Sequence, residues 1–231
     1  MKQDKILKVI VACEESQRVT SEFRRLGHEA YSCDLKDPSG GHPEWHIKGD
    51  VTPILNGNCE FKTLDGEAHT VEGEWDLIVG HPECTYLTTT GNRWFNEDVY
   101  GDAARERKLK RESAVNFFML IANANCEHIA IENPSGVMST RWRKPDQTIQ
   151  PWMFGDPFEK RTCLWLKGLP PLASTEEVTP PPRQVLSSGK TMPIWYSNCG
   201  GDRHTARSKT FPGIAKAIAD QWSRYLTETE E

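Results

Sequence analysis

Two segments of this chain end an apolar run in a proline turn and present reactive side chains there. Trp75-Asp76-Leu77-Ile78-Val79-Gly80-His81-Pro82-Glu83-Cys84 delivers a thiol, and His128-Ile129-Ala130-Ile131-Glu132-Asn133-Pro134 delivers a carboxylate and an amide. A thiolate is a strong nucleophile, and open backbone N–H groups following a strand raise a thiol's acidity. A carboxyl group nearby can hydrogen-bond or protonate a ring nitrogen of a heterocycle, drawing electrons from the adjacent carbon so that it accepts the thiolate. Together Cys84 and Glu132 carry the chemistry that activates a pyrimidine. A lone cysteine is more often a small, inert core residue, so it is the paired motif that points to catalysis. Asn133 is no base but can fix backbone geometry, and Pro134 fixes φ after the strand.

The two segments can form one site only as neighbouring strand ends, where open α/β sheets keep their ligands. The rest of the pattern agrees. Lys8 to Cys13 reads as a buried strand and Gln17 to Leu26 as a helix closed by Gly27. Glu29 to Asp34 reads as a second strand, and Ile47 to Val51 as a third stretch ending beside Asp50. Asp65-Gly66, between Phe61-Lys62-Thr63 and His69-Thr70-Val71, signals a two-residue hairpin turn. Thr85 to Gly101 lacks periodicity and is expected to be a mobile loop over the site. A helix is expected from an N-cap at Asp102 to about Asn125, then the Glu132 strand, and another strand over Thr162 to Lys167. Pro170 to Pro193 reads as irregular. Thr210 is expected to cap a last helix with Pro212 in its first turn. Strands alternating with helices predict an α/β fold with a doubly wound, mostly parallel sheet.

The 231 residues suit one domain, 1–231, with an irregular proline-rich segment at about 168–195. No charged leader precedes an apolar core and no apolar run spans a bilayer, so a cytoplasmic protein with no membrane contact is expected. Seven cysteines, none in a Cys-x-x-Cys pair, argue for reduced thiols over a disulfide framework or zinc ribbon, and His42 and His46 flank a proline, so no metal is expected. The net charge of −5 gives no global attraction to nucleic acid, so any basic footprint must be local. Three segments offer one: Arg105, Arg107, Lys108, Lys110 and Arg111; Arg141, Arg143 and Lys144 around Trp142; and Arg203, Arg207 and Lys209. Each reads equally as a solvated face.

In order and spacing these segments resemble the DNA cytosine-5 methyltransferases. Pro82-Glu83-Cys84 is similar to that family's Pro-Cys turn bearing the nucleophile, and Glu132-Asn133-Pro134 to its Glu-Asn-Val segment bearing the acid. Phe158-Glu159-Lys160-Arg161-Thr162-Cys163-Leu164 is similar to its Gln-x-Arg-x-Arg strand, with Arg161 at the last arginine. Ser208 to Ala219 is similar to its closing helix. The resemblance implies a Rossmann-like methyltransferase fold that binds S-adenosylmethionine, with Asp34 suited to the ribose hydroxyls and Asp50 to the adenine amino group. It also implies cofactor contacts from Cys13, Glu14, His81 and Pro82. The implied reaction methylates carbon 5 of a cytosine in DNA, flipped out or already single-stranded. Cys84 adds to ring carbon 6, Glu132 acts at ring nitrogen 3, and Arg161 contacts the base or supports Glu132. Arg141, Trp142, Arg143 and Lys144 are expected to stack on or clamp the nucleic acid.

Ala12-Cys13-Glu14-Glu15-Ser16-Gln17 stands in place of the family's Phe-x-Gly-x-Gly loop, and Glu83 replaces a proline, putting negative charge beside the thiol. The region of the family's target-recognition domain is short, so a protein partner is a candidate for target recognition. The compact form and Gly41-His42-Pro43-Glu44-Trp45-His46 are similar to small methyltransferase-like proteins encoded by phages, which would work in the host cytoplasm. Two other readings stay open. One is an amino-group methyltransferase, with His81 to Tyr86 a distant version of its Pro-Pro-Tyr motif. The other is a catalytically silent protein that binds nucleic acid or a partner.

Overall fold

Residues alternate between two apolar layers along each central strand, the period-2 pattern of a sheet covered on both faces. In the computed structural model, which describes residues 5–193 and 208–228, Val9 and Val11 face one layer while Ile10 and Ala12 face the other. The strands are β1 (Lys8–Ala12), β2 (Glu29–Asp34), β3 (His46–Lys48), β4 (Cys59–Lys62), β5 (Ala68–Val71), β6 (Leu77–Gly80), β7 (Ile129–Asn133), β8 (Gln147–Ile149) and β9 (Thr162–Lys167). Seven form the central sheet in the order β3-β2-β1-β6-β7-β9-β8, and β4 and β5 form a separate hairpin. Pairing is parallel from β3 through β7, while β9 runs antiparallel to both its neighbours. Helices α1 (Arg18–Arg25) and α4 (Pro212–Glu228) cover one face, burying Phe23, Ile218 and Trp222. Helix α2 (Glu97–Ala122) covers the other with Phe118 and Ile121. A short α3 (Met138–Arg141) follows β7. This is the expected α/β arrangement, a mostly parallel central sheet flanked by helices and consistent with a Rossmann-like methyltransferase fold.

Several boundaries differ from expectation for local reasons. Gln17 sits in left-handed geometry at φ 56 and precedes α1 rather than joining it, while Gly27 closes that helix at φ 85. The hairpin loop has three residues, Leu64-Asp65-Gly66, because Thr63 donates to the Glu67 carbonyl and only Gly66 takes the left-handed position. Helix α2 starts early, capped by Asn96, but Gly101 leaves helical geometry, so its long part begins where Asp102 was expected to start it. At α4 the carbonyl of Phe211, not that of Thr210, accepts the first helical bond, from Ala215. The Asp156 carboxylate caps the helix from outside, accepting the Gly213 N–H at 2.8 Å. The proline-rich segment is irregular apart from a short antiparallel pair, β10 (Gln184–Val185) and β11 (Thr191–Met192). Residues 194–195 of that segment, with Arg203 and Arg207, lie outside the described residues. No helix among the described residues is long and apolar enough to cross a membrane.

Candidate active site

The chain switches direction of winding at β1, which has β2 on one side and β6 on the other, and ligands bind at such a switch beyond the carboxyl ends of the strands. A cavity of about 590 Å³ opens there. It is lined by Cys13, Glu14 and Glu15 after β1, by Asp34 after β2, by Asp50 after β3 and by His81 and Glu83 after β6, with Lys209 across from them.

Most polar groups on this wall already serve the backbone. Glu14 is buried and its carboxylate accepts from the N–H groups of Val19 and Thr20 and from the Thr20 hydroxyl, at 2.7, 3.2 and 2.7 Å. It therefore caps the N-terminus of α1, which leaves its carboxylate little capacity for a ligand. Asp34 accepts from Lys36 N–H, and one oxygen of Asp50 takes both the N–H and hydroxyl of Thr52. Cys13 holds a left-handed φ of 61 that glycine would adopt freely, and its N–H donates to the Cys33 carbonyl at 2.7 Å. Burial, then the carboxylates of Asp34 and Asp50 together with Cys33, push the Cys13 thiol far up, so it is neutral. Glu15 was not singled out from sequence. It is buried, one of its oxygens has no hydrogen bond among the described residues, and Lys209 stands 3.9 Å from that oxygen.

Cys84 and Glu132 lie on neighbouring strand ends, because β6 and β7 pair in parallel with Gly80 opposite Ile131. The turns beyond them are stitched together. Asn133 donates from its side chain to the Pro82 carbonyl at 2.7 Å, and Val137 N–H donates to the Leu87 carbonyl at 2.8 Å. Thr88 and Gly136 form an antiparallel bridge. A Cβ on Gly136 would fall 2.1 Å from the Leu87 oxygen, so only glycine lets the two turns approach this closely. Helix α2 secures the same loop from the other side: Arg107 donates to the Thr85 carbonyl at 3.2 Å and Arg111 to that of Tyr86 at 2.7 Å. The loop expected to be mobile is thus bonded on both flanks, and Thr89–Phe95 within it forms a short 3₁₀ helix.

The electrostatics of the pair are complementary. Burial raises the Glu132 carboxyl, but the hydrogen bond from His81 Nδ1 at 3.2 Å and the charge of Lys160 outweigh it, so Glu132 is held below the ordinary carboxylate range. A carboxylate only accepts, which assigns the shared proton to Nδ1. His81 Nε2 and Asn133 Oδ1 are buried and have no hydrogen-bond partner among the described residues. Cys84 moves the opposite way: burial and then the Glu132 charge raise its thiol, with Lys160 opposing them. Glu83, expected to put negative charge beside the thiol, does raise it, as the smallest of these effects, and its carboxylate accepts the Thr85 hydroxyl at 2.6 Å.

Arg161 is exposed, and the cation whose charge reaches Cys84 and Glu132 is its neighbour Lys160, set 5.9 Å from the Phe211 ring. The expected nucleic-acid clamp is largely engaged elsewhere. Arg141 makes a two-pronged ion pair with Glu112. Arg143 bonds Asp146 and the Leu166 carbonyl, two register positions farther from the strand ends than Glu132, while Trp142 packs its edge on Phe118. Lys144 is exposed. The structure thus ties Arg143 away from the Cys84 rim. The chain matches no family model and no curated protein sequence.

Proposed function

We propose that the protein methylates carbon 5 of cytosine in DNA by way of a covalent bond from Cys84, with S-adenosylmethionine as donor. One observation carries the reading: a half-buried thiol and an ionised carboxylate share one stitched rim beside a large cavity at the sheet's switch point. The cavity fits the donor in size and in the chemistry of its wall. Asp34 and Asp50 offer carboxylate oxygens to hydroxyl and amino groups, and the Glu15 oxygen that accepts no hydrogen bond and faces Lys209 at 3.9 Å suits an ammonium group. Lys209 beside it suits a carboxylate. When bound, the donor supplies the methyl group and nothing else.

The chain's own residues supply the rest. At rest the pair holds one proton, on Cys84, because Glu132 is ionised. As Cys84 Sγ bonds to ring carbon 6, its proton passes to Glu132 and on to ring nitrogen 3, which takes up the displaced electron pair. His81 orients the carboxylate, and Lys160 favours both anionic forms. After carbon 5 is methylated, its hydrogen leaves to solvent as a proton and the C–H pair re-forms the ring double bond. Sγ departs with the Sγ–C6 pair, and the proton held on ring nitrogen 3 returns through Glu132 to Sγ, leaving its bonding pair on the nitrogen. A cytosine can meet Cys84 only outside a duplex stack.

The test is bisulfite sequencing of DNA from cells expressing the chain or its Cys84→Ser variant. Cytosines protected in the wild-type sample alone are expected. Complete conversion in both samples would reject carbon-5 methylation.

A further inference from the structure

Just past Cys84 the loop and the start of α2 enclose a second cavity of about 220 Å³, whose walls include Tyr86, Trp94, Tyr100, Arg107 and Lys110. Its aromatic groups are unusually available. Trp94 is 41% exposed, with Tyr100 tilted against it at 5.0 Å between ring centres and the Arg93 guanidinium 4.6 Å over the indole. An exposed tryptophan in a soluble domain needs no explanation alone, but the charge around this one is unbalanced.

Three cations of α2 are neutralised locally, Arg105 by Glu97 and Asp102, Lys108 by Glu97 and Lys110 by Glu106, and Arg141 of α3 is neutralised by Glu112. Arg93, Arg107 and Arg111 have no carboxylate partner among the described residues. Arg107 sits over the Tyr86 and Phe95 rings, at 5.0 and 5.1 Å, and its Nε is buried without a hydrogen bond. Burial and the like charges of Arg141 and Arg107 lower the Arg111 guanidinium. A polyanion with flat faces answers both features, since bases stack on indole and phenol rings while phosphates answer guanidinium groups that have no carboxylate in an ion pair.

We infer that the Tyr86–Trp94–Tyr100 cavity is a stacking subsite for an unpaired base next to the one that reaches Cys84, so that the protein prefers single-stranded nucleic acid. The inference rests on the proposed function for why a strand passes this loop, but the subsite needs only the strand. It also gives the acidic chain the local footprint that its net charge lacks, in the first of the three basic segments.

The experiment measures fluorescence anisotropy of a labelled single-stranded DNA of about 12 nucleotides, titrated with full-length Cys84→Ser protein and no methyl donor. Trp94→Ala should weaken binding about tenfold, the worth of one base stack, and Trp94→Phe should restore most of it. Moving one abasic position along the strand should abolish the effect of Trp94→Ala at a single place. Equal affinities for Trp94→Ala and its parent, or an equal loss on a fully abasic strand, would overturn the subsite. Because no methyl transfer is needed, a positive result alongside unprotected cytosines in cells would reject the methylation reading alone.

Discussion

The two halves of the strand-end rim handle their polar groups in opposite ways. Beyond β1, β2 and β3 the acids are largely committed to backbone: Glu14 caps α1, Asp34 holds Lys36 and Asp50 holds Thr52. Beyond β6 and β7 the backbone is tied by other means, and buried atoms of His81 and Asn133 are left without hydrogen bonds, whereas the one such atom of the first half, an oxygen of Glu15, faces Lys209. An unsatisfied buried polar group costs about 1–3 kcal/mol, so a rim that keeps two of them is the half where a ligand is expected to complete the bonding. The cavity half is built for shape, the Cys84 half for reaction.

The comparison breaks most severely at the stitch. Gly136→Val would drive a side chain into the Leu87 carbonyl and separate the turns of Cys84 and Glu132. It should abolish methyl transfer and lower stability by about 1–3 kcal/mol, while donor affinity, measured by calorimetry, stays near wild type. Equal loss of donor binding would mean that the two halves are one unit.

Next in size is Asp50→Ala, which should weaken donor binding about ten- to hundredfold, the worth of one hydrogen bond to a charged group, without altering covalent capture at saturating donor. Unchanged affinity by calorimetry would move the donor's adenine elsewhere.

A subtler separation comes from His81→Gln. Glu132 is held low by His81 and Lys160 against burial, so losing the imidazole should raise it. The acidic limb of the activity profile should then shift to higher pH with the fold intact. No shift in that limb would remove His81 from the proton path. The carboxylate's folded value lies below its unfolded one, so its contribution to stability is present above about pH 4.5 and lost as the pH falls through the depressed value.

The smallest effect concerns the buried thiols. Cys33 is pushed up to about 12 by burial and by Asp34 and Asp50. A value raised on folding gives stability that is full below the unfolded thiol's value and lost as the pH rises through the folded one. Cys33→Ala should therefore flatten the fall in melting temperature above about pH 9; an unaltered slope would assign that fall to other groups.

What the sequence made legible follows from how each residue is constrained. β2 spans its expected Glu29–Asp34 and Glu132 sits on its expected strand end, because alternation and turn residues specify both. Asn133 was read as a backbone anchor, and its bond to the Pro82 carbonyl is that anchor. Lys160 was not legible, since the stretch before β9 has no ladder partner to fix which of two adjacent cations turns inward. Arg141 and Arg143 read as a clamp because their partners, Glu112, Asp146 and the Leu166 carbonyl, include groups distant in sequence. Glu15 carries no motif, and only the fold sets its buried oxygen opposite Lys209 at the cavity.

The central claim is that Cys84 is a covalent nucleophile toward cytosine carbon 6, and trapping tests it most directly. Single-stranded DNA containing 5-fluorocytosine is incubated with S-adenosylmethionine and the wild-type or Cys84→Ser protein, then resolved under denaturing conditions. Fluorine at carbon 5 blocks the final proton loss, so wild type should form a stable protein–DNA adduct, mapped to the Cys84 peptide by mass spectrometry, and Cys84→Ser should form none. Wild type that traps no more DNA than Cys84→Ser, while still binding both donor and strand, would contradict the account.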